Sequence, residues 1–422
     1  MGNQNNGKKK IEAIVVGAGA SGLVCAIRLK EQGVSVLVLE KENKIGKKIL
    51  ATGNGKCNLS NLVYEEDSYR GSEPSFVQSI LKQVGVEDTI SFFQRLGMEI
   101  TEEKGYLYPN TKQAATVVDT LMKHCEALNI PMIKETKVEN IVKKGERFFL
   151  STKDETYAAT YVVLACGGCA SSKLGSDGSG YGLAKKLNHT ICTPTPALVG
   201  LHSDDKCFKE LAGIRIKADL SLKISGKIYK QYGELQLTNY GVSGVPIFQL
   251  SRYATKAFLE KKKVTLEINF LPHYSKEALE LFFKNAKENV PYKTVLEVLE
   301  GVLNKKLASV MVKKVGDANL KNLKITKLSK NQQEALIKQI RSFQTNLVGS
   351  NDFEQAQVTA GGVYTNEVKE TTLESKRQKN LYFVGEILDI DGTCGGYNLQ
   401  WAWSTGICAA NHIAKAKERI KQ

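Results

Sequence analysis

The first 40 residues alternate short apolar runs with one segment of helical periodicity. Residues 11–16 and 34–40 are rich in valine, isoleucine and leucine, as buried parallel strands are. Between them, apolar residues recur at helical spacing from Leu23 to Leu29, and Gly33 stands where a helix would end. This pattern predicts a strand, a helix and a second parallel strand, a βαβ unit at the start of the chain.

The remaining hydrophobic pattern divides the chain into three segments. Residues 76–96 show helical periodicity, and strand-like runs fill much of 132–163. From residue 191 to 345, short alternating strands precede several lysine-rich helical stretches. After residue 345, the pattern again predicts strands and then a final helix. We therefore predict an α/β fold in which residues 1–190 and 346–422 form a Rossmann-like domain. Residues 191–345 would be a large inserted domain with a β-rich part and then a helical part.

The length and charge of the chain limit its class. Its 422 residues exceed the ~250–300 at which single cores stop growing, so more than one domain is expected. The net charge is +15, and residues 256–341 alone contain 18 basic and 9 acidic residues. Such a surface attracts anions, although a solvated helical face is the simpler interpretation. No nucleic-acid-binding module is visible, so we do not expect nucleic acid as a partner.

The distribution of apolar residues and of cysteines indicates in which cellular compartment the protein is expected. No stretch approaches the length of apolar sequence that a membrane span needs, and no apolar segment precedes a cleavage site near the start. Nine scattered cysteines without paired CxxC motifs favour reduced thiols and predict no metal site. We therefore expect a cytoplasmic protein that acts on a small molecule and binds no membrane. The sequence does not indicate an oligomeric state.

The turn after the first strand carries the glycine pattern Gly17-x-Gly19-x-x-Gly22. Gly17 permits a tight turn, Gly19 lets the backbone approach a pyrophosphate, and Gly22 lets the helix pack closely on the strand. Glu40 ends the second strand, 18 residues after Gly22, near the spacing of the acid that binds a ribose. A carboxylate there would repel a 2′-phosphate, which favours FAD or NAD over NADP. The candidates in this unit are Gly17, Gly19, Ala20, Ser21, Gly22, Glu40 and Lys41.

Three later segments resemble flavoproteins with two dinucleotide-binding domains. Residues 161–168 resemble the strand and turn at which those proteins return to FAD. Residues 385–391 resemble the segment whose acid holds the ribityl chain and the second phosphate, and 396–400 resemble the helix start that points at the flavin pyrimidine ring. The binding residues that this resemblance implies are Val138, Ala165, Gly167, Asp177, Gly385, Glu386, Asp391, Gly396, Asn398, Leu399 and Gln400. Asp177 fits a simple helix cap equally well.

The stretch from Lys47 to Asn61, with 359–363 and 392–398, is similar to the signature of one bacterial FAD family. Its members include aminoacetone oxidases and dehydro-bile-acid reductases. In the first stretch, asparagine amides can donate and accept as a flavin pyrimidine edge requires, and lysines can meet phosphate. The candidates there are Lys47, Lys48, Asn54, Gly55 and Asn58. A polar surface loop is the alternative interpretation of this stretch.

The resemblance implies an FAD-dependent oxidoreductase, but no catalytic residue can be assigned. A second glycine fingerprint for a pyridine nucleotide is absent from the sequence. A reductase would therefore use NAD(P)H as a transient electron donor and reduce an enone-like or anionic molecule. An amine oxidase would instead take hydride from an amine such as aminoacetone and release hydrogen peroxide. A third hypothesis, of another class, is a non-enzymatic flavoprotein whose basic insertion binds nucleic acid.

Overall fold

A computed structural model of the protein describes residues 11–65, 67–73 and 75–421. The chain forms two compact units, each with its own apolar core. The split unit contains the chain up to Pro194 and again from Phe353, and the inserted unit comprises Thr195–Asp352.

Strands and helices alternate through the first stretch of the chain. The strands are β1 (Ala13–Val16), β2 (Val36–Leu39), β3 (Ser60–Asn61), β4 (Tyr69–Gly71), β5 (Ile100–Glu103), β6 (Tyr106–Pro109), β7 (Met132–Ile133), β8 (Asn140–Lys144), β9 (Arg147–Ser151), β10 (Thr156–Ala159), β11 (Tyr161–Leu164) and β12 (Ile191–Ala197). The helices are α1 (Ala20–Glu31), α2 (Lys47–Ala51), α3 (Ser75–Leu81), α4 (Val86–Arg95), α5 (Ala114–Ala127) and α6 (Ser179–Lys186).

The inserted unit is an antiparallel barrel with helices. Its strands are β13 (Leu201–Ser203), β14 (Arg215–Ile224), β15 (Lys227–Thr238), β16 (Gly241–Ser243), β17 (Val264–Asn269) and β18 (Phe343–Ser350). They close in the order β13-β16-β15-β14-β17-β18. Its helices are α7 (Phe208–Leu211), α8 (Val245–Leu259), α9 (Lys276–Asn289), α10 (Val295–Leu299), α11 (Lys305–Lys314) and α12 (Lys330–Arg341).

Local sequence explains the longest hairpin of this barrel. Ala218, Leu220 and Leu222 alternate with more exposed residues along β14, so one face of the strand is buried in the core. Ser225 and Gly226 form the two-residue turn to β15, and both have positive φ, at 46° and 81°. Turns of that geometry match the twist of paired strands, which fixes the register of the hairpin.

After the insertion, the chain returns to the split unit. The remaining elements are β19 (Val358–Val363), β20 (Leu381–Phe383), β21 (Ile390–Gly392) and α13 (Tyr397–Lys421). Five parallel strands form the central sheet in the order β20-β11-β1-β2-β7. Because β1, β2 and β11 are buried along their whole length, they consist of continuous apolar residues. The predicted Rossmann-like fold with an additional β-rich and helical part is confirmed.

The helical periodicity over 76–96 corresponds to two helices, α3 and α4, and not to one continuous helix. Gly85 has an extended backbone between them, and its N–H donates to Asp88 Oδ2 at 2.8 Å, which caps α4. Within the described ranges, no helix combines the length and apolar composition that crossing a bilayer requires.

Candidate active site

A cleft opens at the carboxyl ends of β1, β2 and β11. It encloses about 1200 Å³, open solvent included. Its walls are the glycine turn after β1, the segment after β2, α2, the first residues of α13 and the start of β19. Loops that follow parallel strands converge at this edge of the sheet, which is where such sheets bind ligands.

The three glycines of the first turn meet different surroundings. At Gly17, where φ is +107°, an added Cβ would lie 2.5 Å from the carbonyl oxygen of Ala165. At Gly22, it would lie 2.0 Å from the carbonyl oxygen of Gly17. At Gly19, which lines the cleft, a Cβ would have no heavy atom within 4 Å. Packing therefore requires Gly17 and Gly22, whereas the space at Gly19 is open to a ligand.

Helix α1 begins at this turn and presents its N-terminus to the cleft. Its N-cap, Gly19, offers no side-chain acceptor, and the first turn holds no acidic residue. The first N–H groups of a helix have no acceptor within the helix, and the helix dipole is positive at this end. Ala20 and Ser21 line the cleft here, so the helix start can receive a phosphate group.

Glu40 is buried at the end of β2, at 8% exposure. Its Oε2 accepts the backbone N–H of Ala18 at 2.6 Å, and its Oε1 accepts the backbone N–H of Glu42 at 2.8 Å. An ionised carboxylate has about four acceptor positions, so Glu40 retains capacity for the hydroxyl groups of a ribose. It therefore holds the glycine turn in place as well as lining the cleft.

Lys41 connects the cleft wall to Asp177. Its Nζ lies 2.6 Å from Asp177 Oδ1, and Lys137 Nζ lies 3.9 Å from Oδ2. Asp177 Oδ1 also accepts the backbone N–H of Ser179, the first residue of α6, at 3.0 Å. Partial burial opposes the charge of Asp177, but the hydrogen bonds from Lys41 and Ser179 outweigh it and lower its pKa to about 2. Asp177 thus accepts the first N–H of α6 and is the ion-pair partner of a lysine that lines the cleft.

Lys48 forms a second ion pair in the cleft lining. Lys48 Nζ is 2.7 Å from Glu386 Oε2, and Glu386 Oε1 accepts the backbone N–H of Thr359 at 2.8 Å. The preceding residue, Gly385, has φ +74°, and an added Cβ would lie 2.7 Å from Ser21 Oγ. This arrangement brings the start of β19, the turn after β20 and α2 to one side of the cleft.

The structure brings most of the sequence-predicted residues to this cleft. Those that line it are Gly17, Gly19, Ala20, Ser21, Glu40, Lys41, Lys47, Lys48, Val138, Ala165, Gly167, Glu386, Asn398 and Leu399. Those outside its lining are Gly22, Asn54, Gly55, Asn58, Asp177, Gly385, Asp391, Gly396 and Gln400. For both groups, the binding of a cofactor stays a prediction.

Several of the second group meet at the start of α13. An added Cβ at Gly396, where φ is +96°, would lie 2.7 Å from Ser60 and 2.8 Å from Asn58 Oδ1. Asn58 Oδ1 is buried and has no hydrogen-bond partner among the described residues. Asn398 lines the cleft, and its amide exchanges hydrogen bonds with the backbone of Gly392 at 2.8 and 2.9 Å. Asn58 and Ser60 therefore lie close to the backbone at the start of α13, and Asn398 fastens that start to Gly392.

Two predicted residues have interior surroundings. The amide of Gln400 accepts from Ser60 Oγ at 2.7 Å and donates to Thr89 Oγ1 at 2.9 Å and to Ser404 Oγ at 2.8 Å. Asp391 is 1% exposed and stands opposite Arg70 where β21 pairs with β4. Both side chains face the protein interior, so the local sequence motif does not by itself distinguish a packing residue from a cleft residue.

Several residues of the cleft lie outside the sequence motifs. Gln357 and Val358 line the wall beside Glu386, directly before the 359–363 motif. Glu42 also lines the cleft, and its Oε2 lies 2.6 Å from Lys47 Nζ. The motif at 359–363 was a usable signal for the first two residues. The pairing of Glu42 with Lys47 depends on the path of the chain after β2, for which the sequence holds no signal.

The cleft fits FAD on its own geometry. The open space at Gly19, the uncapped start of α1 and the remaining acceptors of Glu40 suit a pyrophosphate and a ribose. Lys47 and Lys48 supply positive charge on the same wall, although each is paired with a carboxylate. The residues present therefore suit a dinucleotide cofactor.

Comparison with known proteins gives matches over nearly the whole chain. The family described as HI0933-like protein Rossmann domain matches residues 11–412. The 3-dehydro-bile acid delta(4,6)-reductase of Clostridium scindens is 38% identical over 404 residues, which cover 95% of this chain and 98% of that protein. The ribosomal RNA dihydrouridine synthase of Haemophilus influenzae is 30% identical, over 96% of this chain and 98% of that protein. Its counterpart in Escherichia coli is 29% identical, over 97% of this chain and 99% of that protein.

Proposed function

Because the chain belongs to the HI0933-like family of FAD-binding oxidoreductases, we propose that it reduces a carbon–carbon double bond conjugated to a carbonyl group. The observation that carries this proposal is shared by the three relatives. A 3-dehydro bile acid with Δ4,6 unsaturation is a conjugated dienone, and forming dihydrouridine saturates the uracil double bond next to a carbonyl. The relatives thus differ in substrate but are named for one type of reaction.

The chemistry needs a hydride at the β-carbon and a proton at the α-carbon of the substrate. FAD, when bound and reduced, supplies the hydride. The residues of this chain would bind and orient the cofactor: the start of α1 at the pyrophosphate, Glu40 at the ribose, and the start of α13 beside Asn58 at the pyrimidine ring. A positive helix end there stabilises negative charge on that ring.

The proposed electron donor is NAD(P)H, docking transiently. Anaerobic mixing of the yellow holoenzyme with NADH or NADPH should bleach the flavin absorption. Adding a 3-oxo-4,6-dienoic bile acid should then restore the absorption and give a product heavier by two hydrogens. Bleaching that no conjugated carbonyl compound reverses would contradict the proposal.

The amine oxidase hypothesis is an outcome of the same experiment. Aminoacetone should leave the flavin oxidised under anaerobic conditions if the chain is a reductase. Bleaching by aminoacetone alone, followed by hydrogen peroxide when air is admitted, would replace the reductase by the oxidase.

A second candidate substrate is a uracil base in RNA. The observation that favours it is the charge of the inserted unit, which contains 26 basic and 15 acidic residues and so holds +11 of the net +15. A basic surface of this kind binds polyanions. Incubation of the reduced enzyme with unmodified ribosomal RNA should produce dihydrouridine, detectable by mass spectrometry of the digested nucleosides. RNA that gains no dihydrouridine would leave the small-molecule substrate as the proposal.

A further inference from the structure

A row of exposed lysines in the inserted unit runs from the segment after α11 to the first residue of α12. From Ala318 to Gln333 the chain contains no acidic residue, and lysine recurs at every third position: Lys321, Lys324, Lys327 and Lys330. All four side chains are exposed. Among the described residues, none of the four forms an ion pair with a carboxylate. We call these four lysines the lysine ridge.

The fold holds the ridge outward. Leu320, Ile325 and Leu328 are at most 3% exposed and anchor the segment to the core of the inserted unit. Two 3₁₀ turns, Leu320–Asn322 and Ile325–Lys327, connect these anchors. Because the apolar side chains point inward, the lysines between them are left on the surface as a row. The arrangement is therefore set by the packing of the segment.

An exposed aromatic side chain stands next to this row. Tyr292 is 67% exposed, and its carbonyl oxygen accepts a hydrogen bond from Lys324 Nζ. The two segments also pair through the backbone: the Ile325 N–H donates to Lys293 O at 3.0 Å, and the Val295 N–H donates to Leu323 O at 2.8 Å. Exposure of the apolar ring surface to water is unfavourable, and stacking of the ring against another planar group would remove that surface from water.

Two carboxylates of the neighbouring segments accept capping hydrogen bonds and form no ion pair with the ridge. Glu297 Oε2 accepts from the backbone N–H of Thr294 at 2.7 Å, at the start of α10. Asp317 accepts from the backbone N–H of Asn319 at 2.9 Å and from Gln332 Nε2 at 2.7 Å. Other lysines of the inserted unit do have carboxylate partners, such as Lys223 with Glu267 at 2.8 Å. The four ridge lysines therefore form a row without a carboxylate ion pair among the described residues, although the charge of Lys324 acts on Glu297.

We propose that the lysine ridge and Tyr292 form a docking surface for RNA with unpaired nucleotides. A row of unpaired lysines matches the phosphates of a nucleic acid backbone, and an exposed tyrosine next to the row can stack on an unpaired base. Duplex DNA and anionic lipid also carry negative charge, but neither presents an exposed base on which the tyrosine ring could stack. This surface rests on the second candidate of the proposed function, because that candidate supplies a reason for RNA to be bound.

The test is RNA binding by the full-length, oxidised holoenzyme, measured as fluorescence anisotropy of a fluorescein-labelled oligouridylate between about 50 and 200 mM KCl. The ridge variant replaces Lys321, Lys324, Lys327 and Lys330 by glutamine. The control variant replaces four lysines that already pair with carboxylates, Lys223, Lys262, Lys276 and Lys313, by glutamine. Both lose four positive charges from the same unit.

The two variants should differ in the salt dependence of binding. Each phosphate contact on a single strand contributes about 0.7 to the slope of log affinity against log salt, so the ridge variant should lose up to about 3 units of slope. The control variant should retain the slope of the parent. Tyr292→Ala should weaken binding roughly tenfold at constant slope, because it removes stacking and no charge.

Several results would overturn this surface. Equal losses in the ridge and control variants would mean that net charge alone governs binding. Failure of the parent to bind the oligouridylate at low salt, or its full displacement by phosphatidylserine vesicles, would exclude RNA as the partner. If the variant with all four substitutions does not fold, a second variant replaces only Lys321, Lys327 and Lys330. This variant keeps Lys324 and therefore its contact with Tyr292.

The surface and the substrate can fail separately. Binding uses oxidised enzyme and needs no reaction, whereas the substrate is tested by dihydrouridine formation. RNA that binds through the ridge but gains no dihydrouridine would leave the surface in place and remove RNA as the substrate. Dihydrouridine formed equally well by the parent and the ridge variant would remove the surface and keep the substrate.

Discussion

Gly19 and Gly22 belong to one motif, but substitution should affect them differently. The methyl group of Gly22→Ala would lie 2.0 Å from a backbone oxygen, a clash that only movement of α1 or β1 can relieve. Overpacking of this kind costs about 1–3 kcal/mol or more, so we expect a lower melting temperature even without cofactor. Gly19→Ala meets no protein atom and should melt like the parent, yet its methyl group occupies the cleft. FAD binding should weaken about tenfold, or 1.4 kcal/mol.

Thermal melting of the apoprotein and FAD titration separate these two effects. If Gly19→Ala binds FAD as tightly as the parent, the glycine turn is not the pyrophosphate site. If both variants melt alike, the close approach of α1 to the turn is not required for the fold.

The spacing of residues in the sequence was sufficient to locate Glu40 at the edge of the sheet. It was insufficient to show whether the side chain of Gln400 faces the cleft or the core. Glu40 lies at a strand end, a fixed distance from a glycine turn, and both features can be identified from local pattern alone. Gln400 lies three residues after Tyr397 at the start of α13, and its side-chain direction depends on α4, more than 300 residues away in the chain. Long-range packing of this kind leaves no local signal, so a motif that enters a helix cannot tell the residue facing the cleft from the residue facing the core.

Among the contacts between helices, the side-chain amide of Gln400 links α13 to α4, beside the edge-on packing of Phe93 against Trp403. Gln400 Nε2 donates to Gly85 O at 3.1 Å and to Thr89 Oγ1 at 2.9 Å, while its Oε1 accepts from Ser60 Oγ. Gln400→Leu would leave the buried Ser60 hydroxyl without this acceptor, at a cost of about 1–3 kcal/mol, whereas Thr89 Oγ1 and Gly85 O keep their own hydrogen bond at 3.1 Å. We expect a clear loss of thermal stability, with FAD affinity near that of the parent at low temperature.

Melting curves and FAD titration of Gln400→Leu would check this, with Gln32→Leu, an amide change outside the α4 contact, as the control. A Gln400→Leu protein of parental stability that has lost FAD would return Gln400 to the cofactor site.

The link between α6 and β20 depends on a buried histidine. His189 is 4% exposed, its Nε2 lies 2.8 Å from Ser375 Oγ, and its ring packs edge-on against Phe383 at 4.7 Å. Burial lowers its pKa below the usual 6.5, although Glu367 opposes the shift. The unfolded chain therefore takes up a proton as pH falls through about 6.5 while the folded chain stays neutral there. Stability from this group is complete above that pH and declines below it.

Urea denaturation at a series of pH values should show the consequence. Below about pH 6.5 the free energy of unfolding should fall by up to about 1.4 kcal/mol per pH unit for this one proton. His189→Gln should reduce that slope, and His273→Gln, at an exposed histidine, should leave it unchanged. An identical pH slope in the parent and His189→Gln would show that His189 is not the titrating group.

At the scale of the whole chain, the split unit and the inserted unit should fold separately. The inserted unit has its own apolar core and a closed barrel, so none of its barrel strands lacks a neighbour on either side. Its ends leave the barrel side by side: Leu201 pairs with Ser350, and the Asn351 N–H donates to Gly200 O at 3.0 Å. Adjacent ends let an insertion fold without stretching the domain that holds it. A fragment of residues 195–352 should therefore unfold cooperatively and bind no FAD.

The complementary protein should keep the cofactor. Replacing residues 199–351 by a short glycine–serine linker preserves β12, which pairs with β19, and leaves every residue of the cleft lining in place. We expect this protein to be yellow, and we expect a fragment that ends at residue 342, without β18, to lose cooperative unfolding because the barrel can no longer close. Circular dichroism melting and flavin absorption would decide both points. An insertion that folds only within the full chain, or a linker protein that cannot be reconstituted with FAD, would mean that the two cores stabilise each other.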